Sequence, residues 1–240
     1  MKNKLEKSYI IPVSICDNTA KLSYPGIFDI FMDMATDHAA LLGVGGDALK
    51  EKSCFWVAAK TMVKITDRPR MLTEAKAVTW PEKPGNIRCN RYYTIEQDGN
   101  ILVEGKTEWT ILSLERGRPV KTADVYPSDI VHPEDVVCDI PFSRMSADFS
   151  DCDEILRHKV VSTDIDLSQH MNNFAYIRAF LSAFSCKEIE EMNIGEMEIT
   201  YRTQCFEGEE LSLRMRRCDN SLEIGAVKED GKCAAILRIN

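Results

Sequence analysis

The sequence predicts an α+β protein with two antiparallel sheets, each wrapped around a long central helix. Three observations carry this prediction. The 240 residues are long for one ordinary domain and short for two large ones. A helical pattern followed by several strand-like runs occurs once in each half of the chain. A proline-rich stretch with little periodicity separates the two halves. We therefore expect an internal duplication, in which two units side by side bury more apolar surface than either alone.

The main element of the first half is a helix that begins after Ser23. Ser23 is a favourable N-cap, and Pro25 fits the first helical turn, where its missing N–H costs little. The glycine-rich stretch 43–46 ends the helix. Apolar residues at helical spacing form its buried stripe: Ile27, Ile30, Phe31, Met34, Ala35, His38, Leu41 and Leu42.

Strand-like runs follow this helix, and the same order of elements returns in the second half. The first set of strands is predicted at Trp56–Ile65, Glu74–Trp80, Arg88–Gln97 and Ile101–Leu114. The second half is predicted to contain a strand at Leu156–Ser162, a helix at Asn172–Ser185, and strands at Glu196–Cys205, Glu210–Arg217, Ser221–Glu229 and Lys232–Ile239. An Asp-Gly pair, a strong hairpin signal, joins the last two strands of each set. The sequence thus divides into a first unit at 1–115, a connector at 116–154 and a second unit at 155–240.

Composition excludes several classes of protein. The chain has 30 Lys and Arg against 38 Asp and Glu, and the resulting charge of −8 is unsuited to general nucleic-acid binding. The nine cysteines show no C-x-x-C spacing and no Cys/His metal cluster, so we expect reduced thiols in the cytoplasm and neither metal nor cofactor. Pro12 interrupts the short apolar stretch near the start, so no signal peptide is predicted, and no run is long enough for a membrane helix.

The segment most informative about chemistry lies just before the second helix. Asp166, Ser168, His170, Asn172 and Asn173 fall within a few residues of one another. A histidine beside a carboxylate can be held in one tautomer and act as a base or orient a water. The N-terminus of the following helix offers unpaired N–H groups to a carbonyl oxygen that gains negative charge. At the matching positions the first half has threonine and lysine, so a single active site would belong to the second half.

Each of these residues also has a structural interpretation. Asp166 is a common turn former. Asn172 is better explained as a helix cap than as a catalytic group, and Asn173 is a candidate brace of the turn. Cys205 is more often a small buried hydrophobe than a nucleophile. His170 is the best candidate for a catalytic side chain, because a histidine in such a turn is a frequent catalytic choice.

The segment Asp-Ile-Asp-x-x-x-His-Met-Asn-Asn resembles the motif that acyl–acyl-carrier-protein (acyl-ACP) thioesterases carry before their second hotdog helix. The first half resembles the same family at Trp56-Val57, Arg68-Pro69, Thr79-Trp80, Asp98-Gly99 and Trp109. The resemblance extends from residue 8 to the end of the chain. It implies a tandem (double) hotdog fold and hydrolysis of a fatty acyl thioester on acyl carrier protein, with release of free fatty acid.

By position, the resemblance implies that Asp166 and His170 are active-site residues. Ser168 departs from the family's usual asparagine and Gln204 from its usual glutamate, whereas Cys205 matches a cysteine found in many members. Mechanisms proposed for the family use either that cysteine as nucleophile or the glutamate to activate water. If the strand runs to residue 205, alternation places Gln204 and Cys205 on opposite faces, so they cannot both face His170.

A glutamine amide does not accept a proton near neutral pH, although it can orient a water. We therefore expect water to attack the thioester with assistance from His170, while Asp166 orients the histidine. Backbone N–H groups near the helix start would polarise the carbonyl. Cys205 as a covalent nucleophile remains the alternative.

The same resemblance implies that Ile27, Phe31 and Met34 line an acyl pocket, with Asn172 and Asn173 close to the substrate; ordinary core packing is the alternative for the three apolar residues. Acyl carrier protein is acidic, so the chain needs a basic docking patch. Two clusters are candidates: Arg116, Arg118 and Lys121, or Lys64, Arg68 and Arg70. We also expect a homodimer. The competing functions are an acyl-CoA thioesterase of the same fold and a catalytically weak acyl-binding protein.

Overall fold

The computed structural model describes residues 3–218 and 220–240 and divides into two compact units, Met1–Ile140 and Pro141–Asn240. The first unit contains the strands β1 (Leu5–Ile10), β2 (Cys54–Ile65), β3 (Glu74–Pro81), β4 (Cys89–Gln97) and β5 (Asn100–Ser113), and the helices α1 (Tyr24–Leu41) and α2 (Gly46–Glu51). Its strands pair antiparallel in the order β1-β3-β4-β5-β2.

Helix α1 begins where the sequence predicts. The Ser23 hydroxyl accepts the Gly26 N–H at 3.0 Å, and a proline occupies the first turn. The helix packs closely on its sheet because β5 carries Gly105 at the contact: a Cβ there would lie 2.0 Å from the Phe31 ring. Phe31 also stacks on Tyr93 of β4, with ring centroids 4.3 Å apart. The core of this unit therefore lies between α1 and the sheet.

The second unit repeats this arrangement. It contains β6 (Asp153–Lys159), β7 (Glu196–Tyr201), β8 (Glu210–Cys218), β9 (Ser221–Lys228) and β10 (Cys233–Ile239), and the helices α3 (Asn173–Leu181) and α4 (Cys186–Met192). Its strands pair antiparallel in the order β6-β8-β9-β10-β7, which is the order of the first unit element for element. The shared topology supports the internal duplication.

Three predicted elements are wrong in extent. The strand predicted at Leu156–Ser162 lies at Asp153–Lys159. The helix predicted at Asn172–Ser185 ends at Leu181. A separate helix, α4, follows it and is capped by Ser185, which forms a reciprocal capping box with Glu188. The central helix of the second unit is therefore short, not long. The strand predicted at Glu196–Cys205 ends at Tyr201. The predicted number of sheets is not confirmed.

The predicted three-part division of the chain stays a prediction; residues 116–140 pack with the first unit and 141–154 with the second. All nine cysteines are free thiols. In the described part of the chain, none of the helices has the length and apolar character needed to cross a membrane.

Candidate active site

The polar segment singled out in the sequence forms a tight turn that leads into α3. Within it, the Asp166 N–H donates to the His170 carbonyl at 3.2 Å, and the Gln169 N–H donates to the Asp166 carbonyl at 3.0 Å. Gln169 closes the turn with a left-handed backbone (φ 65°). The turn folds the segment back on itself, so the side chains of Asp166, Ser168 and His170 meet.

These side chains form one hydrogen-bonded chain. The Asp166 Oδ1 atom accepts from the Ser168 N–H at 2.8 Å and also from the Ser168 hydroxyl. The Ser168 Oγ lies 3.0 Å from Nδ1 of His170. On the other side of the imidazole ring, Nε2 lies 3.0 Å from the side-chain nitrogen of Gln204. The structure thus brings together four of the predicted residues, with Ser168 standing between the carboxylate and the histidine.

The direction of these hydrogen bonds indicates which ring nitrogen of His170 donates and which accepts. The hydroxyl of Ser168 donates its proton to Asp166, so its oxygen accepts from Nδ1–H of His170. The amide of Gln204 donates to Nε2, which is therefore the unprotonated ring nitrogen. With these donors, Nε2 is the ring nitrogen that accepts a hydrogen bond, and it faces Gln204.

Gln204 reaches the histidine from the loop after β7, and that loop has its own anchors. The Met171 N–H donates to the Cys205 carbonyl at 2.8 Å, which ties the loop to the turn. Lys228 donates to the Gln204 carbonyl at 3.0 Å and forms an ion pair with Glu209 at 2.9 Å. No motif in the sequence marks Lys228 or Glu209, because Lys228 acts through a backbone carbonyl and Glu209 acts through Lys228.

Phe206 is a second feature that the sequence analysis missed. Its ring meets the His170 ring edge-on at 6.5 Å, and the Lys228 ammonium lies 5.9 Å from its centroid. Phe206 is nevertheless 48% exposed, and Leu167 in the turn is fully exposed. The histidine therefore sits beside exposed apolar side chains.

Cys205 faces away from this polar chain. Its side chain is fully buried, and burial raises the pKa of its thiol, although the neighbouring Tyr176 hydroxyl and Lys228 act in the opposite direction. The strand ends before residue 205, so strand alternation does not explain this placement. The outcome is still that Gln204 contacts His170 while the Cys205 side chain is enclosed in the interior.

Asn172 and Asn173 serve the start of α3. The Asn172 side chain accepts the Phe174 N–H at 2.9 Å, which makes Asn172 the helix cap, and its carbonyl accepts the Ala175 N–H at 3.0 Å. The Asn173 carbonyl accepts the hydroxyl of Tyr201 at 3.2 Å, which braces the helix start against β7.

The matching turn of the first unit has the same backbone and different chemistry. Asp17 and Thr19 repeat the contact between Asp166 and Ser168, since the Thr19 hydroxyl donates to Asp17 at 2.6 Å. The position of His170 is occupied by Lys21, which forms an ion pair with Asp67 at 2.5 Å. Arg68 forms an ion pair with Asp17. Burial would raise the pKa of the Asp17 carboxyl, but hydrogen bonds from Thr19 and Arg68 outweigh it and lower that pKa.

The predicted acyl-pocket residues lie in the core of the first unit. Ile27 is fully buried, Phe31 is 3% exposed and Met34 is 1% exposed. Among the candidate docking clusters, Arg116, Arg118 and Lys121 are exposed, as are Lys64 and Arg70, whereas Arg68 is held by Asp17. Within residues 3–218 and 220–240, no three His, Cys, Asp or Glu side chains are grouped so as to hold a metal ion.

Two family models match the chain. The model described as "Acyl-ACP thioesterase N-terminal domain" matches residues 2–130, and the one described as "Acyl-ACP thioesterase C-terminal domain" matches residues 149–237. Together they match well over half of the chain.

Curated relatives are remote in sequence. A chloroplastic acyl-[acyl-carrier-protein] hydrolase, FATB3, from Cuphea viscosissima is 23% identical over 220 residues, which cover 83% of this chain and 50% of the relative. A chloroplastic palmitoyl-acyl carrier protein thioesterase from Cuphea hookeriana is 23% identical over 202 residues, which cover 79% of this chain and 48% of the relative. The chain thus spans about half the length of these relatives.

Solved structures resemble the chain over nearly its whole length. An acyl-ACP thioesterase from Bacteroides thetaiotaomicron superposes with a TM-score of 0.87 at 18% identity, and the match covers 99% of this chain and 97% of that one. The 12:0-ACP thioesterase from Umbellularia californica superposes with a TM-score of 0.83 at 15% identity, with coverage of 100% and 97%. At these identities the likeness concerns the fold.

Proposed function

The chain belongs to the acyl-ACP thioesterase family, whose fold is the double hotdog, and on that premise we propose that it hydrolyses a fatty acyl thioester on acyl carrier protein to free fatty acid. The observation that carries this proposal is the hydrogen-bonded chain from Asp166 through Ser168 to His170 and Gln204. It offers Nε2 of His170 as a basic nitrogen, which is the kind of group that assists water attack on a thioester.

The difference between the two turns supports a single reaction centre. In the first unit, ion pairs occupy the Asp17 carboxylate and the Lys21 ammonium. In the second unit, Gln204 stands where the first unit has Arg68, since each lies in the loop that the turn's backbone binds, and a neutral amide replaces the guanidinium. Among the described residues, Asp166 therefore has no arginine partner, and its carboxylate contacts Ser168, which contacts the histidine.

We propose the following sequence of steps. A water molecule takes the position of the Gln204 amide next to Nε2 of His170, and the displaced amide orients that water. The water oxygen bonds to the thioester carbonyl carbon as its proton passes to Nε2. Asp166 stabilises the resulting imidazolium through the Ser168 hydroxyl. Collapse of the tetrahedral intermediate breaks the carbon–sulfur bond, and the proton passes from His170 to the leaving sulfur.

The oxyanion of that intermediate needs hydrogen-bond donors. The N–H groups of Phe174 and Ala175 are occupied by the cap residue Asn172. The first amide of the helix, that of Asn173, is the one we propose as the donor, and the positive end of the α3 dipole adds to it.

We propose that Cys205 packs the site and is not the nucleophile. A thiol must ionise to attack, and burial raises the pKa of Cys205 and keeps it protonated near neutral pH. The complete burial of its side chain also separates it from an incoming thioester.

For the carrier, we propose docking on Arg116, Arg118 and Lys121, which are exposed in the turn after β5. The alternative cluster is weaker, because Arg68 is already paired with Asp17. We further propose that the acyl chain enters the first unit along Ile27, Phe31 and Met34. For the location, we propose the reducing cytoplasm, as the odd number of cysteines without C-x-x-C spacing predicts.

The test is hydrolysis of acyl-ACP by His170→Ala, Asp166→Ala and Cys205→Ala. We expect kcat to fall at least a hundredfold for His170→Ala, because general base catalysis contributes about 10²–10⁴-fold, and to persist for Cys205→Ala. His158→Ala is the matched control: His158 contacts the carboxylate of Asp164 at 3.0 Å and lies outside the hydrogen-bonded chain. Full activity of His170→Ala would refute the mechanism.

The substrate is tested separately by comparing acyl-ACP with acyl-CoA of the same chain. We expect kcat/KM to be higher for acyl-ACP, and to fall with increasing salt, since the docking contact is electrostatic. Equal or better turnover of acyl-CoA would assign the protein to that substrate. Tight acyl binding without turnover of either thioester would contradict an enzymatic role.

A further inference from the structure

The interior of the first unit contains an arginine that has no carboxylate partner among the residues the structure describes. Arg91 on β4 is 6% exposed, and among the described residues it forms no ion pair. Its two hydrogen-bond contacts both use Nη1: the His38 ring nitrogen Nδ1 lies at 3.0 Å and the Thr79 hydroxyl at 3.4 Å. A guanidinium has five N–H donors, so most of the donors of Arg91 have no acceptor in the described part of the chain.

Two other enclosed arginines are paired with carboxylates. Arg68, whose side chain is 11% exposed, is paired with Asp17. Arg216, at 22%, is paired with Glu223 at 2.5 Å. Because an unpaired buried charge is costly, the more deeply buried Arg91 is the arginine that most needs an anion.

Further donors lie near Arg91, whose partner across the sheet, Thr107, is two residues from Trp109 on β5. The hydroxyl of Tyr126 is buried and has no hydrogen-bond partner among the described residues. The indole N–H of Trp109 is also buried with no described acceptor at full hydrogen-bonding geometry, and it acts weakly on the Tyr93 hydroxyl, whose pKa burial raises and the indole lowers. Trp56 connects them, since its ring meets Trp109 edge-on at 6.1 Å and Tyr126 at 6.5 Å. Tyr126 also packs in an apolar cluster with Leu42 and Ile130, among others.

The positive charge of Arg91 changes the pKa of the nearby His132. Burial lowers the pKa of His132, and the positive charges of Lys83 and Arg91 lower it further. The His132 ring lies 5.8 Å from that of Tyr126. The His132 imidazole therefore supplies no negative charge that could pair with Arg91.

We propose that Arg91, Tyr126 and Trp109 form a binding site for a carboxylate in the first unit. A guanidinium binds a carboxylate through two parallel hydrogen bonds, and the phenol and indole donors suit the remaining lone pairs. A single carboxylate neutralises a single arginine, whereas a dianion would leave an excess negative charge in an apolar region. The carboxylate belongs either to a small free acid or to the far end of an aliphatic chain. Neither source depends on the proposed thioester hydrolysis.

The test is a titration followed by tryptophan fluorescence, because Trp56 and Trp109 lie in the proposed site. Sodium acetate supplies a free carboxylate, dodecanedioate supplies one at a chain end, and sodium chloride at equal ionic strength is the reference. We expect a saturable change with acetate, dodecanedioate or both. Saturation with acetate identifies a small acid as the ligand, and saturation with dodecanedioate alone identifies a chain end. A response equal to that of chloride for both acids overturns the proposal.

Variants locate the binding. We expect Arg91→Gln to weaken the carboxylate at least tenfold and Tyr126→Phe to weaken it severalfold. Arg88→Gln is the matched control, since Arg88 lies beside β4, is exposed, and pairs with Glu108 at 2.9 Å. If Arg91→Gln does not fold, Tyr126→Phe decides, because it removes one oxygen and keeps the charge. Unchanged affinity in the folded variants refutes the site.

Discussion

Replacing Ser168 by alanine removes the link between the carboxylate of Asp166 and the imidazole of His170. The serine hydroxyl is the atom that joins them: it donates to Asp166 and lies 3.0 Å from Nδ1 of His170. Alanine abolishes both hydrogen bonds and leaves the fold of the turn unchanged, because the backbone N–H of residue 168 still donates to Asp166 at 2.8 Å. The substitution therefore tests the hydrogen-bonded link between Asp166 and His170 without disturbing the backbone of the turn.

The size of the effect follows from the kind of hydrogen bond that the serine hydroxyl makes. A hydrogen bond to a charged group contributes about 1.5–3 kcal/mol, which corresponds to about 10- to 150-fold in rate. Ser168 is exposed, so water replaces part of what the hydroxyl provided. We therefore expect an effect at the lower end of this range, which is a fall in kcat of about tenfold with little change in KM.

The assay is steady-state hydrolysis of acyl-ACP, with Thr19→Ala as the control. Thr19 makes the same contact with Asp17 at 2.6 Å in the first unit, so its replacement costs a similar amount of stability without touching the proposed chemistry. The reasoning fails if Ser168→Ala keeps full kcat, or if Thr19→Ala lowers kcat equally.

Three further substitutions and one pH dependence test the remaining parts of the structure. Gln204→Glu should raise kcat about tenfold in the same assay, because a carboxylate at that position can accept a proton from water; a lower kcat would contradict the role given to the amide. Cys205→Ala should keep kcat but unfold more easily by about 1 kcal/mol in urea, as expected when a small group is removed from the interior. Gly105→Ala should destabilise the fold by about 1–3 kcal/mol, because its new methyl group meets the Phe31 ring at 2.0 Å; an unchanged melting temperature would argue against this packing. The Asp17 carboxyl has a lowered pKa in the folded state, so its contribution to stability is present above the unfolded-state value of about 3.9 and disappears as the pH falls through the folded-state pKa. Urea midpoints of wild type and Asp17→Asn should therefore converge as the pH falls toward 2, and a constant difference would refute the linkage.

The duplication gives these predictions an internal reference. Both units fold the same turn in front of a capped helix, but one closes it with the pairs Asp17–Arg68 and Lys21–Asp67, and the other leaves a histidine with a basic nitrogen. Ion pairs hold the first turn in one arrangement. The neutral contact between Gln204 and His170 is easier to displace, as the proposed mechanism requires of the attacking water.

Local signals in the sequence determined the elements whose causes are themselves local. The start of α1 follows from Ser23 and the proline after it, and the structure places the cap where the sequence does. Asn172 was expected to cap the second helix and does so. The repeated order of elements and the polar turn around His170 were equally visible, because hydrophobic period and turn residues are properties of neighbouring positions.

Tertiary structure alone decided how the site is connected. That Ser168 bridges Asp166 and His170, and that Gln204 caps the other ring nitrogen, depends on a loop distant in sequence whose carbonyl is held by Lys228. The sequence does not show the end of α3 at Leu181 or the end of β7 at Tyr201, because the apolar pattern continues beyond both residues. The unpaired state of Arg91 also required the structure, since a sequence shows that an arginine is present but not which carboxylates lie within reach of it. Hydrogen bonds and ion pairs are short-ranged, so they are fixed by the folded arrangement of distant segments and not by any pattern along the chain.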